Sequence, residues 1–388
     1  MDIHSEKWLL APANLSQTTW KEDTGWTESS STAAVLTSGR MSSRRTIGKM
    51  KWLGVRFFKV VFVFLIGASL LHAQPVPKKI TAGITALTGS TAVIYVTQKA
   101  GLFERHGLEV RVVYLITVPV TASALISGDL QIALMSGSAS LSAAMGGADV
   151  VQIGGLVNRL DYGLMISPSI KSLQELKGSS VGIAGLGGAS EFAANHIFRK
   201  EGMVPGKDVV LLSVGGVAER LGALATGKLK AVLIEPPFTG KAEKMGFSRL
   251  VDFPTLDLEF QTIGVATTRS YLKSGRKTGL SFLKAITEAI YFYKTHKKET
   301  MTILASVLKM QDQDALEEMY SLYARHLLPE VPYSSLKGLQ NTLDLLALRN
   351  PKARDKDPEE MINDSLVKEM EESGFIAHLR KTYPISAR

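Results

Sequence analysis

Two hydrophobic periodicities alternate along the chain after residue 79. Short apolar or β-branched runs, such as residues 80–85 and 110–114, are typical of buried strands. Between them, side chains such as Tyr95, Lys99 and Phe103 repeat at the spacing of one helix face. Strands that alternate with helices predict parallel sheets flanked by helices, which is an α/β fold.

The same pattern predicts individual elements. Strands are predicted over residues 80–85, 110–114, 130–135, 150–156, 164–166, 180–184, 209–213, 231–234 and 250–251. Helices are predicted over residues 89–105, 119–128, 172–176, 189–201, 217–226 and 236–245, with a further helix after the serine-rich segment 136–140.

One stretch of the chain occurs twice. Residues 83–134 align without a gap to residues 182–233, which lie 99 positions later. Of the 52 aligned positions 12 are identical, among them Gly83 and Gly182, whereas unrelated sequences of average composition share roughly 3 or 4. A repeat of about 100 residues has the size of half an α/β domain, so the sequence contains two matched halves.

Two matched halves, each with a Gly-rich turn after its first strand, predict two lobes that face each other across a cleft, where small ligands bind. We expect residues 80–160 and 261–388 to form lobe 1 and residues 161–260 to form lobe 2. In this arrangement the segment 261–268 is extended and returns to lobe 1. The chain from Arg269 onward is predicted to be helical and packed on lobe 1, with its last helix able to lie over the joint between the lobes.

The N-terminal part of the chain has the pattern of a targeting segment. An apolar run over residues 60–71 follows three basic residues and precedes Ala73, so residues 50–73 are predicted to be a signal peptide cleaved after about Ala73. The run is shorter than the roughly 20 residues of a transmembrane helix, and an uncleaved anchor is the alternative.

Residues 1–49 are polar, rich in Ser and Thr, and without periodicity. A translation start at Met41 or Met50 would place this segment outside the mature protein, and otherwise we expect a disordered extension. The motif Ser43-Arg44-Arg45 resembles a twin-arginine signal, so the general secretory and twin-arginine routes both stay open.

Composition narrows the class of protein. With 45% apolar and 21% charged residues the chain is typical of a soluble globular protein, and it contains no cysteine. The lack of cysteine excludes disulfides, thiolate chemistry and a lipid anchor at the cleavage site, and so favours a Gram-negative periplasm. The formal net charge is +9, but the basic residues are scattered, so we expect no nucleic-acid partner.

Four ordered motifs resemble those of a known family. They lie at residues 101–110 (GLFERHGLEV), 124–133 (ALISGDLQIA), 170–182 (IKSLQELKGSSVG) and 235–237 (EPP). The mature chain thereby resembles the solute-binding proteins of ABC importers, in the nitrate/sulfonate/taurine group that includes the thiamine-precursor-synthase-like proteins. Gln131 and Glu175 depart mildly from this pattern, because the family usually has Asp at both positions.

The resemblance implies a type II periplasmic-binding fold, with two crossing segments and a solute held between the lobes. It further implies an ABC permease in the inner membrane as partner, a monomeric protein and no cofactor. The solute would be a nitrate-, sulfonate-, taurine- or pyrimidine-like molecule.

Ligands of parallel sheets lie beyond the carboxyl ends of the strands, where helix N-termini offer free N–H groups. The loops at these ends, and the segments near the two crossings, are also where the resemblance places ligand contacts. The residues expected to contact a ligand are Thr88, Gly89, Ser90, Thr91, Ser136, Gly137, Ser138, Asn158, Tyr162, Gly187, Gly188, Ala189, Ser190, Gly216, Glu235 and Gln261.

These residues also have structural interpretations. A Ser or Thr before a helix often only caps it, and Glu235 either caps its helix or meets a ligand amine. The core loops contain no Arg or Lys, and Arg159 near the crossing is the basic residue that could form a bidentate clamp. A monoanion, a neutral aromatic ring or a sulfonate held by helix dipoles is therefore favoured over a doubly charged ligand.

Enzymatic alternatives have weaker support. Gly182, Gly185 and Gly187 do not have the spacing of a dinucleotide fingerprint, the seven histidines show no metal-ligand spacing, and no GxSxG motif occurs. We therefore expect a non-enzymatic binding protein. An enzyme of the same fold that acts on a small carboxylate or pyrimidine precursor is the main alternative, and a sensory input module is another.

Overall fold

The computed structural model describes residues 76–115, 118–256, 258–348 and 350–385. The predicted extension 1–49 and signal peptide 50–73 lie outside these ranges. Within the described part of the chain, no helix combines the length and the hydrophobicity that a membrane crossing requires.

The first sheet has five strands in the order β2-β1-β3-β10-β4. Its strands are β1 (Lys78–Ile84), β2 (Leu108–Tyr114), β3 (Ile132–Met135), β4 (Val150–Arg159) and β10 (Glu259–Thr268). The helices between its first four strands are α1 (Val93–Lys99), α2 (Leu102–Arg105), α3 (Val118–Ser127) and α4 (Gly137–Met145). The helix predicted over 89–105 is divided because Gly101 adopts a left-handed φ of 68° between α1 and α2.

The second sheet repeats this plan in the order β7-β6-β8-β5-β9. Its strands are β5 (Gly163–Ile166), β6 (Ser180–Ile183), β7 (Val210–Ser213), β8 (Ala231–Ile234) and β9 (Ser248–Asp252). The helices of this lobe are α5 (Ala189–Lys200), α6 (Val217–Ala225) and α7 (Phe238–Lys244). The short helix predicted over 172–176 is a 3₁₀ turn, Gln174–Leu176.

The two sheets are separate, and each is parallel apart from one strand, which confirms the α/β class. Strand β10 is antiparallel to β3 and β4, and β5 is antiparallel to β8 and β9. Both exceptions have one cause. β5 and β10 follow the two crossings, so each enters its sheet directly from the other lobe rather than through a crossover helix.

The sequence repeat is a structural repeat. In the first sheet Gly83 pairs with Val113 and Ala133. In the second sheet Gly182 pairs with Leu212 and Val232, each 99 positions after its counterpart. Both glycines are required by close packing. A Cβ atom at Gly83 would lie 2.7 Å from Leu130, and a Cβ atom at Gly182 would lie 2.9 Å from Leu229.

The C-terminal region is helical, as predicted. It contains α8 (Arg269–Thr295), α9 (Lys297–Leu308), α10 (Gln313–Leu322), a π-helical turn (Tyr323–Leu327), α11 (Leu336–Leu346), 3₁₀ turns at Pro351–Asp355 and Pro358–Met361, α12 (Ser365–Glu372) and α13 (Phe375–Thr382). Apolar side chains of α8 to α10, α12 and α13 share one core with the first sheet, including Phe282, Leu316 and Ile376.

The last helix does not lie over the joint. Helix α13 packs against α8 and α12, because Tyr383 just after it hydrogen-bonds Glu288 on α8. Helices α10 and α11 lie at the joint instead: α10 contacts α7 of the second lobe, and α11 contacts β10, α4 and α5.

Candidate functional site

The loop after β1 meets the second lobe directly. The hydroxyls of Thr88 and Ser90 are hydrogen-bonded at 2.9 Å, and both side chains are buried. Thr91 donates its hydroxyl to the Ala86 carbonyl at 2.7 Å, so it stabilises the turn itself. The Gly89 N–H points to the Pro236 carbonyl of the second lobe at 3.4 Å, which places this loop at the joint between the lobes.

Gly89 is required by close packing. A Cβ atom at this position would lie 2.2 Å from Cε2 of Tyr323, in the π-helical turn after α10. The Tyr323 ring is fully buried and therefore cannot move aside easily. The loop after β1, the second lobe and the helical tail thus converge on one point.

Asp161 lies at this point, in the connection between β4 and β5. Its Oδ2 accepts a hydrogen bond from the Tyr323 hydroxyl at 2.5 Å, and the residue has no solvent exposure. Burial, helped by the negative charge of Glu235, raises the pKa of the Asp161 carboxyl to about 7 despite the hydrogen bond from Tyr323.

Glu235 follows β8 and pairs with Arg220 of α6. Arg220 Nη2 lies 3.0 Å from Glu235 Oε2, and both side chains are buried. Arg220 further donates to the carbonyls of Leu233 and Gly216. The expectation that Arg159 is the basic residue able to reach these loops is therefore corrected. Arg220 comes from a helix, and its position next to Glu235 gives that carboxylate an ion-pair partner.

Tyr162 belongs to the same group. Burial, and then the charges of Glu235 and Asp161, raise the pKa of the Tyr162 phenol well above its usual value. The group formed by Thr88, Ser90, Asp161, Tyr162, Arg220, Glu235 and Tyr323 is called the joint cluster below. It holds polar and ionisable side chains from both lobes and from the tail in a place removed from water.

A second set of predicted residues lies under α11. Ser136 caps α4 by accepting from the Ala139 N–H at 3.1 Å, and Ser138 bonds Ser136 at 2.9 Å. Gln261 accepts from the Ser335 N–H at 2.7 Å. At Gly137 a Cβ atom would lie 2.5 Å from Leu339 of α11. These contacts give Ser136, Gly137, Ser138 and Gln261 structural roles.

The loop before α5 faces the first lobe. Gly187 donates its N–H to Glu191 Oε2 at 2.6 Å, and a Cβ atom at Gly187 would lie 3.4 Å from the Ser142 hydroxyl of α4. Gly188 precedes α5, which starts at Ala189. Ser190 accepts from the Ala184 N–H at 3.0 Å, so its hydroxyl closes the strand-to-helix turn.

The remaining predicted residues lie at element ends. Asn158 donates its side-chain N–H to the Tyr333 carbonyl at 2.8 Å and thereby ties β4 to the tail. Gly216 precedes α6 and accepts from Arg220. Arg159 is exposed, and its carbonyl accepts a hydrogen bond from Thr262 at 2.6 Å.

A model of the family described as NMT1/THI5 like matches residues 89–300, which is more than half of the chain. The chain belongs to this family. It is also 24% identical over 282 residues to YtlA of Bacillus subtilis strain 168, whose name gives it a binding role, and the match covers 71% of this chain and 84% of YtlA.

Solved structures share the fold of this NMT1/THI5-like chain. A Bordetella bronchiseptica RB50 protein superposes with a TM-score of 0.68 at 17% identity, covering 80% of this chain and 99% of that one. The periplasmic aliphatic sulphonate binding protein SsuA from Escherichia coli gives 0.59 at 20% identity, with 74% and 92% covered. The periplasmic nitrate-binding protein NrtA from Synechocystis PCC 6803 gives 0.63 at 13% identity, with 77% and 89% covered.

Sequence reasoning missed three members of the joint cluster. Asp161 directly precedes the predicted Tyr162. An acidic residue between a long apolar strand and an aromatic residue could have indicated a buried carboxyl group at the site. Arg220 lies on the buried face of α6 next to Leu221 and Leu224, where a charge implies a buried partner. Tyr323 carries no such signal, because its role depends on how the tail folds back on the first lobe.

Proposed function

We propose that this chain is the periplasmic solute-binding component of an ABC importer and holds one small solute between its two lobes. The observation that carries the proposal is the joint cluster. There the buried hydroxyls of Thr88 and Ser90 flank Gly89, whose N–H meets the Pro236 carbonyl of the other lobe. Buried polar groups from separate bodies are the usual means of fixing a small ligand in an apolar surrounding.

Membership of the family and the fold of SsuA and NrtA support a binding role. The names of those proteins give their solutes as aliphatic sulphonates and nitrate. For this chain we propose a solute of similar size, bound by the loops after β1 and β8 and by the connection between β4 and β5. The predicted residues under α11 would position these loops.

We propose binding rather than catalysis. In the joint cluster the ionisable groups are engaged with each other: Arg220 with Glu235, and Tyr323 with Asp161. Such pairing fixes side chains in place and suits recognition. An enzyme acting on a small carboxylate or pyrimidine precursor would instead convert the bound molecule, which a turnover assay on the identified solute would detect.

The proposed partner is a permease in the inner membrane, which would receive the solute when the lobes separate. Export to the periplasm rests on the predicted signal peptide at residues 50–73. We propose that the protein acts as a monomer, because each chain contains both halves of the cleft.

Two measurements on the purified protein test this function. Denaturation followed by mass spectrometry should release one bound solute, and adding that solute back should reduce the radius of gyration in small-angle scattering. If a broad panel of solutes produces neither compaction nor thermal stabilisation, the proposed function is wrong. If the bound molecule is turned over, the enzyme alternative replaces it.

A further inference from the structure

The connection between β4 and β5 contains a buried carboxyl group, that of Asp161. Asp161 has no solvent exposure, and its Oδ2 is bonded to Tyr323. Among the described residues, no donor makes a well-formed hydrogen bond to Asp161 Oδ1, although the Ser90 hydroxyl is near enough to lower the pKa of the carboxyl somewhat. A buried carboxylate oxygen without a partner is costly, so its presence at the joint between two lobes calls for a functional explanation.

The charge around Asp161 is unbalanced. The joint cluster contains two carboxylates, Asp161 and Glu235, and one guanidinium, Arg220. The donors of Arg220 are directed to Glu235 and to the carbonyls of Leu233 and Gly216. The hydrogen-bond donors of Arg220 are therefore used within the second lobe. The charge that acts most strongly on Asp161 is the like charge of Glu235.

An unbalanced buried carboxylate favours one kind of ligand over another. An oxyanion beside Asp161 would meet the one carboxylate of the cluster that no guanidinium neutralises, in a medium that screens charges poorly. A ligand N–H group would instead supply the missing hydrogen bond to Oδ1, and a positive charge would neutralise the cluster.

Resting on the proposed function, we propose that Asp161 Oδ1 is a ligand contact and that the cleft selects a small solute presenting a protonated amine or amidine. The hydroxyls of Thr88 and Ser90 would hold a second polar group of the same solute. The inference narrows the range of solutes that the family resemblance implies, because a plain oxyanion such as nitrate would lack the group that Asp161 binds.

The test compares the native protein with Asp161→Asn and with a matched control, Asp364→Asn. Asp364 is also a carboxyl whose pKa is raised mainly by burial, but both of its oxygens bond Ser334, and it precedes α12 in the first lobe. Thermal shift is measured with benzamidine, agmatine and putrescine, and with benzenesulfonate, methanesulfonate and nitrate as anions.

We expect at least one amine or amidine to stabilise the native protein and Asp364→Asn, and we expect this shift to be lost in Asp161→Asn. Stabilisation by an anion that persists in Asp161→Asn would overturn this inference and leave the proposed function standing. If neither series stabilises the native protein and no solute co-purifies, the proposed function fails and this inference fails with it.

A second readout separates a binding role from a purely structural one. Asp161 faces Glu235, Tyr323, Tyr162 and the Ser90 hydroxyl, and none of these supplies a positive charge. Without ligand, Asp161→Asn should therefore raise the melting midpoint at pH 7.5, by roughly 2–4 °C, because it removes an uncompensated charge. Asp364→Asn should lower the midpoint, since it breaks satisfied hydrogen bonds. A lower midpoint for Asp161→Asn would contradict the inference.

Discussion

At the scale of single residues, the ion pair of Arg220 and Glu235 fixes the geometry of the joint cluster. The two side chains are only 2% and 5% exposed. Removing two charges from water costs several kcal/mol per ion, and the cost is recovered only when the geometry and the remaining hydrogen bonds are good. The bonds from Arg220 to Leu233 and Gly216 meet that requirement.

Replacing one member of this pair should be strongly destabilising. Arg220→Met leaves Glu235 as an uncompensated buried charge, so we expect a loss of about 3–5 kcal/mol in the free energy of unfolding. Urea denaturation at pH 7 measures the change. The control is the double variant Arg220→Met with Glu235→Gln, which should lose less than the single variant. A single variant within about 1 kcal/mol of the native protein would show that the pair contributes little.

The candidate site was partly predictable at this scale. Four residues could be placed at one joint because they follow strands or flank a crossing, and the carboxyl ends of parallel strands lie at the same edge of a sheet. They are Thr88, Ser90, Tyr162 and Glu235. That Glu235 pairs with Arg220 could not be predicted. The sequence shows both charges, but their pairing depends on which face of α6 packs against β8.

At the scale of elements, the final helix α13 is held to the first lobe by a charged group. Glu288 of α8 accepts hydrogen bonds from Tyr383, after α13, and from His106, after α2, both at 2.7 Å. Arg105 also pairs with Glu288. Burial alone would raise the pKa of Glu288, but these hydrogen bonds and the Arg105 charge outweigh it and lower the pKa to about 2.

This lowered pKa predicts an acid-sensitive contact. Because the folded pKa lies below the unfolded value, the stability from Glu288 is present above about pH 4.5 and lost as the pH falls toward 2. Glu288→Gln should therefore cost up to about 3 kcal/mol at pH 7 and little near pH 2. Urea titrations of both proteins at several pH values give the difference. An equal difference at pH 7 and pH 3 would exclude this role of ionised Glu288.

Ion pairs also connect the tail to the second lobe. Lys244 of α7 lies 2.6 Å from Asp312 and 2.9 Å from Asp314, at the start of α10. Arg249 of β9 lies 2.8 Å from Glu318 of the same helix. Because these pairs join elements that would separate when the lobes part, they favour the arrangement in which the lobes touch.

Charge reversal at Lys244 should loosen this contact. We expect Lys244→Glu to weaken binding of the co-purified solute by a few-fold, measured by isothermal titration calorimetry, because like charges would then oppose lobe contact. Adding Asp314→Lys should restore part of the affinity. Lys297→Glu is the control, because Lys297 pairs with Glu317 within the tail. An equal loss in that control would mean that charge at the joint is not the cause.

Elements of the duplicated halves were easier to predict than their arrangement. The strand Ala231–Ile234 matches its prediction, and α6 differs from its prediction by one residue. The antiparallel pairing of β5 and β10 with their neighbours was not predicted. Hydrophobic periodicity shows which residues are buried and carries no information on strand direction. The position of α13 was missed for a related reason: it depends on the partners of Tyr383 and Glu288, which are 95 positions apart.

At the scale of the whole molecule, the duplicated halves form two sheets joined by two adjacent crossings. The strands that border them, β4 and β10, pair along their length from Glu259 opposite Arg159 to Thr268 opposite Val150. A pair of neighbouring crossings is the geometry of a hinge, since a few residues on each side can absorb a rotation of one lobe. The joint cluster lies beside this hinge.

The central claim is that the two lobes close on one solute, and a distance between the lobes tests it directly. The chain has no cysteine, so Asp129→Cys and Lys228→Cys, at exposed and repeat-equivalent positions of the two lobes, can carry a pair of spin labels. Pulsed electron paramagnetic resonance should show a broad distribution of distances without solute and one shorter, narrower distance with the co-purified solute. An identical distribution in both conditions would contradict the account.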